Sequence, residues 1–218
     1  MRWVMVIDLD RCIGCRACEI ACKLENRLPP HANLTKVFIR EEGEFPYVTR
    51  TYLPVTCMHC TIPACVDVCP TGASFQRDDG IVLIDHDKCI GCKACLLACP
   101  YDARIINEAK FSYYDSPMPI ERDKSESQRL KGTVEKCTFC SHRIDQGQDP
   151  ACVAVCPTRA RLFGDIDRPQ GEIHEVLKQK HIFKLREEFG TQPNVFYVYS
   201  ERSVVSIANV SQSKTMTK

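Results

Sequence analysis

Cys12-Ile13-Gly14-Cys15-Arg16-Ala17-Cys18-Glu19-Ile20-Ala21-Cys22 returns later in the chain as Cys89-Ile90-Gly91-Cys92-Lys93-Ala94-Cys95-Leu96-Leu97-Ala98-Cys99. Both stretches read C-x2-C-x2-C-x3-C. Widening the comparison to residues 6–22 and 83–99 gives eleven identities in seventeen positions, with Ile7, Asp8 and Asp10 matched by Ile84, Asp85 and Asp87. The other cysteines form two further groups, Cys57, Cys60, Cys65 and Cys69 (C-x2-C-x4-C-x3-CP) and Cys137, Cys140, Cys152 and Cys156 (C-x2-C-x11-C-x3-CP). Pro63-Ala64-Cys65-Val66 and Val68-Cys69-Pro70-Thr71 recur as Pro150-Ala151-Cys152-Val153 and Val155-Cys156-Pro157-Thr158. All 16 cysteines of the 218 residues therefore fall into four groups of four, related in two pairs. The pattern reads as an internal duplication.

Three chemistries compete for such cysteines. Disulfides need pairs with suitable separation, and triplets spaced by two residues on a tight loop cannot all cross-link well. Structural zinc closes one tetrahedral site with paired C-x2-4-C knuckles, which leaves the third cysteine of the triplet surplus. A cubane has an iron at each corner, so a loop wound around it can direct three thiolates to three corners while a fourth arrives from elsewhere. Four [4Fe–4S] clusters is the reading. Gly14 and Gly91, between the first two cysteines of their groups, suit a loop that needs unusual dihedrals and close backbone approach. Pro70, Pro100 and Pro157 follow the last cysteine of their groups and end a short helix there. Cys22 is followed by Lys23 and departs from that pattern.

Cysteine groups two and three are joined by a short connection from Cys69 to Cys89 and can form one two-cluster unit, leaving groups one and four to form the other. In two-cluster ferredoxins the fourth cysteine of a run ligates the other cluster. On that rule the sets are Cys12, Cys15, Cys18 with Cys156; Cys22 with Cys137, Cys140, Cys152; Cys57, Cys60, Cys65 with Cys99; and Cys69 with Cys89, Cys92, Cys95. The rival arrangement, one with two and three with four, needs longer connections.

Composition restricts the remaining choices. Lys and Arg number 29 against 28 Asp and Glu, a formal +1, so no net field recruits nucleic acid. Sixteen thiolates against four cores of charge +2 would bring the loaded chain to about −7. Cations beside the motifs, Arg11, Arg16, Lys88, Lys93, Lys136 and Arg143, then help to hold reduced clusters. His59 and His142 neighbour cysteines but read as spectators, since each group already supplies four thiols. The start, MRWVMVIDLDRC, reaches Asp8 and Cys12 without room for a signal-peptide core, and no apolar run is long enough to span a membrane.

The fold class expected is α+β, two ferredoxin-like two-cluster domains with loop and C-terminal helix and strand extensions. Residues 1–52 with 133–165 make the first domain and 53–111 the second. Residues 112–132, polar, make an exposed connection, and 166–218 an extension for subunit assembly. Thr35–Ile39 and Tyr47–Val55 flank Glu42-Gly43-Glu44 as a β-hairpin. Gly171–Phe189 carries apolar residues at helical spacing and predicts one amphipathic helix, Asn194–Tyr199 a strand, and the tail SQSKTMTK a frayed end. No nucleotide fingerprint or nucleophile motif is visible, so the chain reads as a conductor of electrons.

The order of the motifs, with CIGCRACEIAC, CIGCKACLLACPY and above all KCTFCSHRIDQGQDPACVAVCPTRARLFGD, resembles the four-cluster iron–sulfur subunit of the molybdopterin oxidoreductases. It is most similar to the polysulfide, thiosulfate, tetrathionate, arsenate and dimethyl sulfoxide reductase types. The resemblance runs from residue 3 to about 200. It implies a catalytic partner with a molybdenum or tungsten bis-pterin near the Cys12 set. It further implies a path through the Cys22 and Cys57 sets, and a last set, Cys69, Cys89, Cys92 and Cys95, facing a quinone-reactive membrane subunit. Some relatives carry tryptophan at the position of Cys92; here four thiols imply a four-iron cubane. The complex implied is peripheral to a membrane and exported with a twin-arginine-bearing catalytic partner, with the cytoplasmic side as the alternative. An iron–sulfur subunit of a soluble pterin oxidoreductase such as formate dehydrogenase, or a free polyferredoxin, stands as the alternative.

Overall fold

The computed structural model of the protein describes residues 1–107 and 132–200. Its platform begins with β1 (Trp3–Asp8), WVMVID, a near-continuous apolar run of the kind that is buried on both faces. It lies between β8 (Arg161–Asp165), antiparallel, and β10 (Val195–Tyr199), parallel, and β9 (His181–Phe183) completes the order β8-β1-β10-β9. Strand pleating sends alternate residues to opposite faces. Val4 and Val6, with Leu162 and Val198, pack under α6 (Glu172–Gln179) through Ile173. Met5, Ile7, Val195 and Tyr197 face the other way, into a core that contains Cys22, Cys57, Cys137 and Cys152 beside Leu28, Leu53, Met58 and Phe139. The sheet thus braces the cysteine-rich half of the molecule. At Gly164 a Cβ would come within 2.9 Å of Ile173 Cδ1, so the glycine admits the close approach of α6.

The expected hairpin forms from β2 (Thr35–Glu42) and β3 (Thr49–Thr56), paired from Thr35 opposite Thr56 to Glu42 opposite Thr49. The expected domain limit at residue 52 falls inside β3. Two short ribbons flank the second half: β4 (Ser74–Gln76) with β5 (Val82–Ile84), and β6 (Arg104–Ile106) with β7 (Val134–Lys136). Short helices stand between cysteines: α1 (Ala17–Glu25), α2 (Ala64–Asp67), α3 (Ala94–Leu97), α4 (Ser141–Ile144) and α5 (Ala151–Ala154). α1 packs on α5, and α2 on α3. Helices and strands are mixed, as an α+β class requires. Most of the expected 112–132 connection, and the tail, lie outside the described residues.

One expectation is corrected. The helix foreseen over Gly171–Phe189 stops at Gln179; Lys180 is extended (φ −124°, ψ 158°), His181–Phe183 pairs with β10, and Glu187–Phe189 forms a single 3-10 turn. The reason is tertiary. Lys180 Nζ donates at 2.8 Å to both carboxylate oxygens of Asp8 and to Asp10 Oδ2, which ends the helix where the sheet edge can be joined.

Asp8 is fully buried and is otherwise paired with Arg11 at 3.3 Å. Desolvation works against the Lys180 ammonium, but Asp10 and Asp8 outweigh it and raise its pKa. Lys180→Met is therefore expected to lose about 2 kcal/mol, less than the ~3–5 kcal/mol cost of orphaning a buried charge, because Arg11 remains. The readout is the urea midpoint of the loaded subunit at constant m. A lysine whose folded pKa is raised contributes fully below its unfolded pKa. The difference should hold at neutral pH and shrink only as the pH climbs past about 10.4. An unchanged midpoint at pH 7 contradicts the assignment.

Candidate metal centres

Each cysteine loop bends through left-handed residues. Gly14 (φ 68°) and Gly91 (φ 67°) occupy matching positions, and in each loop the residue that caps the next helix, Arg16 or Lys93, is left-handed too. A Cβ on Gly14 would run into the Tyr52 ring, and one on Gly91 into the carbonyl of Gly132. Both glycines are thus required by close packing as well as by φ. Asp8 and Asp85 open the two loops alike, each accepting at 3.1 Å from the N–H two residues on and pairing three residues on, with Arg11 or Lys88.

The structure brings the thiols into four neighbourhoods. Cys57, Cys60, Cys65 and Cys99 line one recess with Met58, Tyr101 and Arg104. Cys69, Cys89, Cys92 and Cys95 line a second with Ser74, Gly91 and Val134. Cys22 lies within electrostatic reach of Cys137, Cys152 and Cys140. Cys12 is in reach of Cys18 and Cys156, and Cys15 sits exposed on the same loop. The first three neighbourhoods also touch in succession, since Cys152 senses Cys18, and Cys137 senses Cys57, while Arg104 is in reach of cysteines of the third and the fourth.

The donor chemistry fits [4Fe–4S] clusters. All sixteen cysteines are free, and soft thiolates are the ligands that such clusters take. The thiols here stand in for iron-bound thiolates. Desolvation by burial raises Cys60 and Cys140 to about 12 and Cys152 to about 11, with neighbouring cysteines adding for the first two and Arg161 opposing at Cys152. Metal binding must drive off those protons. Cys69 and Cys156 differ. Burial opposes their ionisation as well, but N–H groups directed at sulfur, Ser74 N at 3.3 Å for Cys69 and Ala160 N at 3.3 Å for Cys156, join Thr71 and Thr158 in lowering them. N–H···S bonds of this kind tune a bound cluster.

Of the basic residues singled out in the sequence, Arg11, Arg16, Lys88 and Arg143 pair with carboxylates, and Lys136 is buried. His142 pairs with Glu25 at 2.7 Å. His59 is buried; its Nδ1 accepts from Val82 N at 3.1 Å, and its ring stacks on Phe139 with centroids 3.7 Å apart. Desolvation, then the Lys136 charge, holds His59 well below the ordinary histidine range, so it is neutral. His59 and Phe139 occupy equivalent places, Cys57-Met58-His59-Cys60 and Cys137-Thr138-Phe139-Cys140, and both have positive φ.

Sequence reasoning missed Arg104 and Arg161. Arg104 donates at 2.9 Å to Cys65 Sγ and at 2.8 Å to Ser74 Oγ; Arg161 donates to Thr35 Oγ1 at 2.8 Å and lies 3.8 Å from Cys152 Sγ. Their signal was readable, because Cys99-Pro100-Tyr101-Asp102-Ala103-Arg104 and Cys156-Pro157-Thr158-Arg159-Ala160-Arg161 share C-P-x-x-A-R.

Two family models, each described as a 4Fe-4S dicluster domain, match this chain, one over residues 48–130 and 117–166 and the other over 6–73. The chain is 40% identical to a selenate reductase subunit of Mesobacillus selenatarsenatis, over 91% of its own length and 72% of that protein's. It is 40% identical to the arsenate respiratory reductase iron-sulfur subunit of Shewanella sp. strain ANA-3, over 92% and 97%. With a tetrathionate reductase subunit of Salmonella typhimurium it shares 44% identity over 90% and 72%.

Proposed function

This chain belongs to the 4Fe-4S dicluster family of iron–sulfur subunits, and on that premise we propose that it is the electron conductor of an anaerobic respiratory reductase for a sulfur, arsenic, selenium or sulfoxide compound. It carries four [4Fe–4S] clusters, which supply one-electron carriers when bound. The ligand sets are Cys12, Cys15, Cys18 and Cys156; Cys22, Cys137, Cys140 and Cys152; Cys57, Cys60, Cys65 and Cys99; and Cys69, Cys89, Cys92 and Cys95. Groups one and four build one ferredoxin-like domain (1–52 with 133–165), groups two and three the other (53–111), related by duplication. The matching Asp8 and Asp85 turns and the packing of α1 on α5 and α2 on α3 support this division.

The observation that carries the reading is a line with two open ends. The first three sets adjoin and Arg104 bridges the third and fourth, while the two exposed cysteines, Cys15 and Cys92, belong to the first and last sets. Around each end apolar side chains reach solvent: Ile13, Ile20 and Leu24 at one, Ile90 (68% exposed) and Leu97 (90%) at the other. Patches of that kind suit partners. The Cys15 end faces a catalytic subunit holding a molybdenum or tungsten bis-pterin, and the Cys92 end a quinone-reactive membrane subunit. Among the described residues no helix is long and apolar enough to cross a membrane, which fits a peripheral place in such a complex. Residues 166–218 add to assembly, with Ile182 and Phe189 exposed. The complex is exported with a twin-arginine-bearing catalytic partner.

Leu97→Glu, on the rim of the Cys92 end, tests the direction of docking. The loaded subunit should keep its iron and its catalytic partner and lose the membrane subunit on co-purification. Loss of the catalytic partner instead would reverse the assignment of ends.

A further inference from the structure

Among the described residues three Lys or Arg side chains are buried: Arg104 and Lys136, each 3% exposed, and Arg161, 2%. A charge taken out of water costs several kcal/mol unless an anion compensates it. Their hydrogen bonds run to neutral groups and sulfur. Arg161 meets Thr35 Oγ1, Met5 Sδ and Cys152 Sγ; Lys136 meets the carbonyls of Val82 and Cys137; Arg104 meets Ser74 Oγ and Cys65 Sγ. No described carboxylate is among these partners. Arg104 and Lys136 are, moreover, direct cross-strand neighbours in the β6–β7 ribbon, an arrangement that is destabilising for like charges. Negative charge from the cysteine sets is what remains to balance them.

Their placement is regular. Arg161 is in reach of Cys18 in the first set and of Cys152 and Cys137 in the second. Lys136 is in reach of Cys137 in the second and Cys65 in the third. Arg104 is in reach of Cys65 and Cys57 in the third and Cys95 in the fourth. One buried cation therefore occupies each gap between successive sets.

We propose that Arg161, Lys136 and Arg104 are fixed positive charges, one per gap, that raise the reduction potentials of the two clusters they separate; this rests on the reading of the four cysteine sets as cluster ligands. Each hop oxidises one cluster by an electron and reduces the next by an electron. The arriving electron adds a negative charge to a chain that already stands near −7 when loaded. A cation between donor and acceptor attracts the electron on either side, so it favours reduction of both without blocking passage. Burial makes it effective, since a surface charge would be screened by water and salt.

The experiment is a redox titration of the intact complex, monitored by electron paramagnetic resonance, with iron counted in the same samples. Arg161→Met and Arg104→Met should each keep full iron and lower two of the four potentials, and the two pairs should share no member. Lys136→Met should lower one from each pair. Arg161→Lys and Arg104→Lys should leave the potentials near those of the parent. Unmoved or raised potentials in fully loaded Met variants overturn the proposal. Where a Met variant loses iron, the Lys variant decides: parent-like potentials support the fixed charge, and a lowered pair with the charge retained overturns it. A parent complex holding far fewer than about sixteen irons overturns the cluster reading beneath it, a failure the iron count separates from the first.

Discussion

Cys92→Ser is expected to abolish most quinol-driven turnover while leaving dye-driven turnover intact. Cys92 is the exposed thiol of the last set, on the loop that Gly91 and Lys93 bend through positive φ. Its loss leaves Cys69, Cys89 and Cys95 around the same recess, enough to hold three irons. A three-iron centre has a different potential. At the membrane end of the line it would trap or block electrons before they reach the other clusters. The quinol-linked rate should fall about a hundredfold, equivalent to about 2.7 kcal/mol of added barrier. A soluble dye that donates to the catalytic subunit or to an inner cluster bypasses the block. A misfolded subunit would lose both activities, so the split is diagnostic. Retained quinol turnover alongside a three-iron signal would show that this set is not an obligatory relay.

Ending the chain at Gly190 is expected to yield no iron-loaded subunit. An extension serving assembly alone would be dispensable for cluster binding. Val195, Tyr197 and Val198, however, are fully buried in β10, between β1 and β9. Tyr197 OH also donates to the Pro54 carbonyl at 2.8 Å, and Asn194 Nδ2 to the His59 carbonyl at 2.7 Å, tying the sheet to the cysteine loops. Each large buried side chain removed costs about 2–5 kcal/mol, and three together approach the whole stability of a domain, about 5–15 kcal/mol. Full iron in the soluble truncated chain would contradict this and return residues 191–218 to a purely external role.

The chemistry was far more legible in the sequence than the frame that holds it. Cysteine spacing and the two glycines follow from local requirements, a loop around a cluster, and so can be read from a few adjacent residues. The β2–β3 hairpin likewise rests on neighbouring strands. The helix end at Gln179 was not readable, because what stops it is Asp8 and the edge of β10, both remote in sequence. Apolar spacing through Leu185 and Phe189 mimics a helix although Ile182 and Phe183 belong to a strand. Arg104 and Arg161 were overlooked for a different reason. An arginine beside a motif is usually solvated surface, and only the repeat of C-P-x-x-A-R, with Ser74 at the matching place after Cys69, distinguishes these two. The stacking of His59 on Phe139 depends on bringing two distant loops together, which spacing alone does not show.

The central claim, four cubanes held by sixteen thiolates, is tested most directly by counting iron and acid-labile sulfide in anaerobically purified protein, with Mössbauer spectra on the same sample. The account predicts about sixteen of each per chain and a spectrum of four-iron clusters throughout. About eight irons with stoichiometric zinc would contradict it.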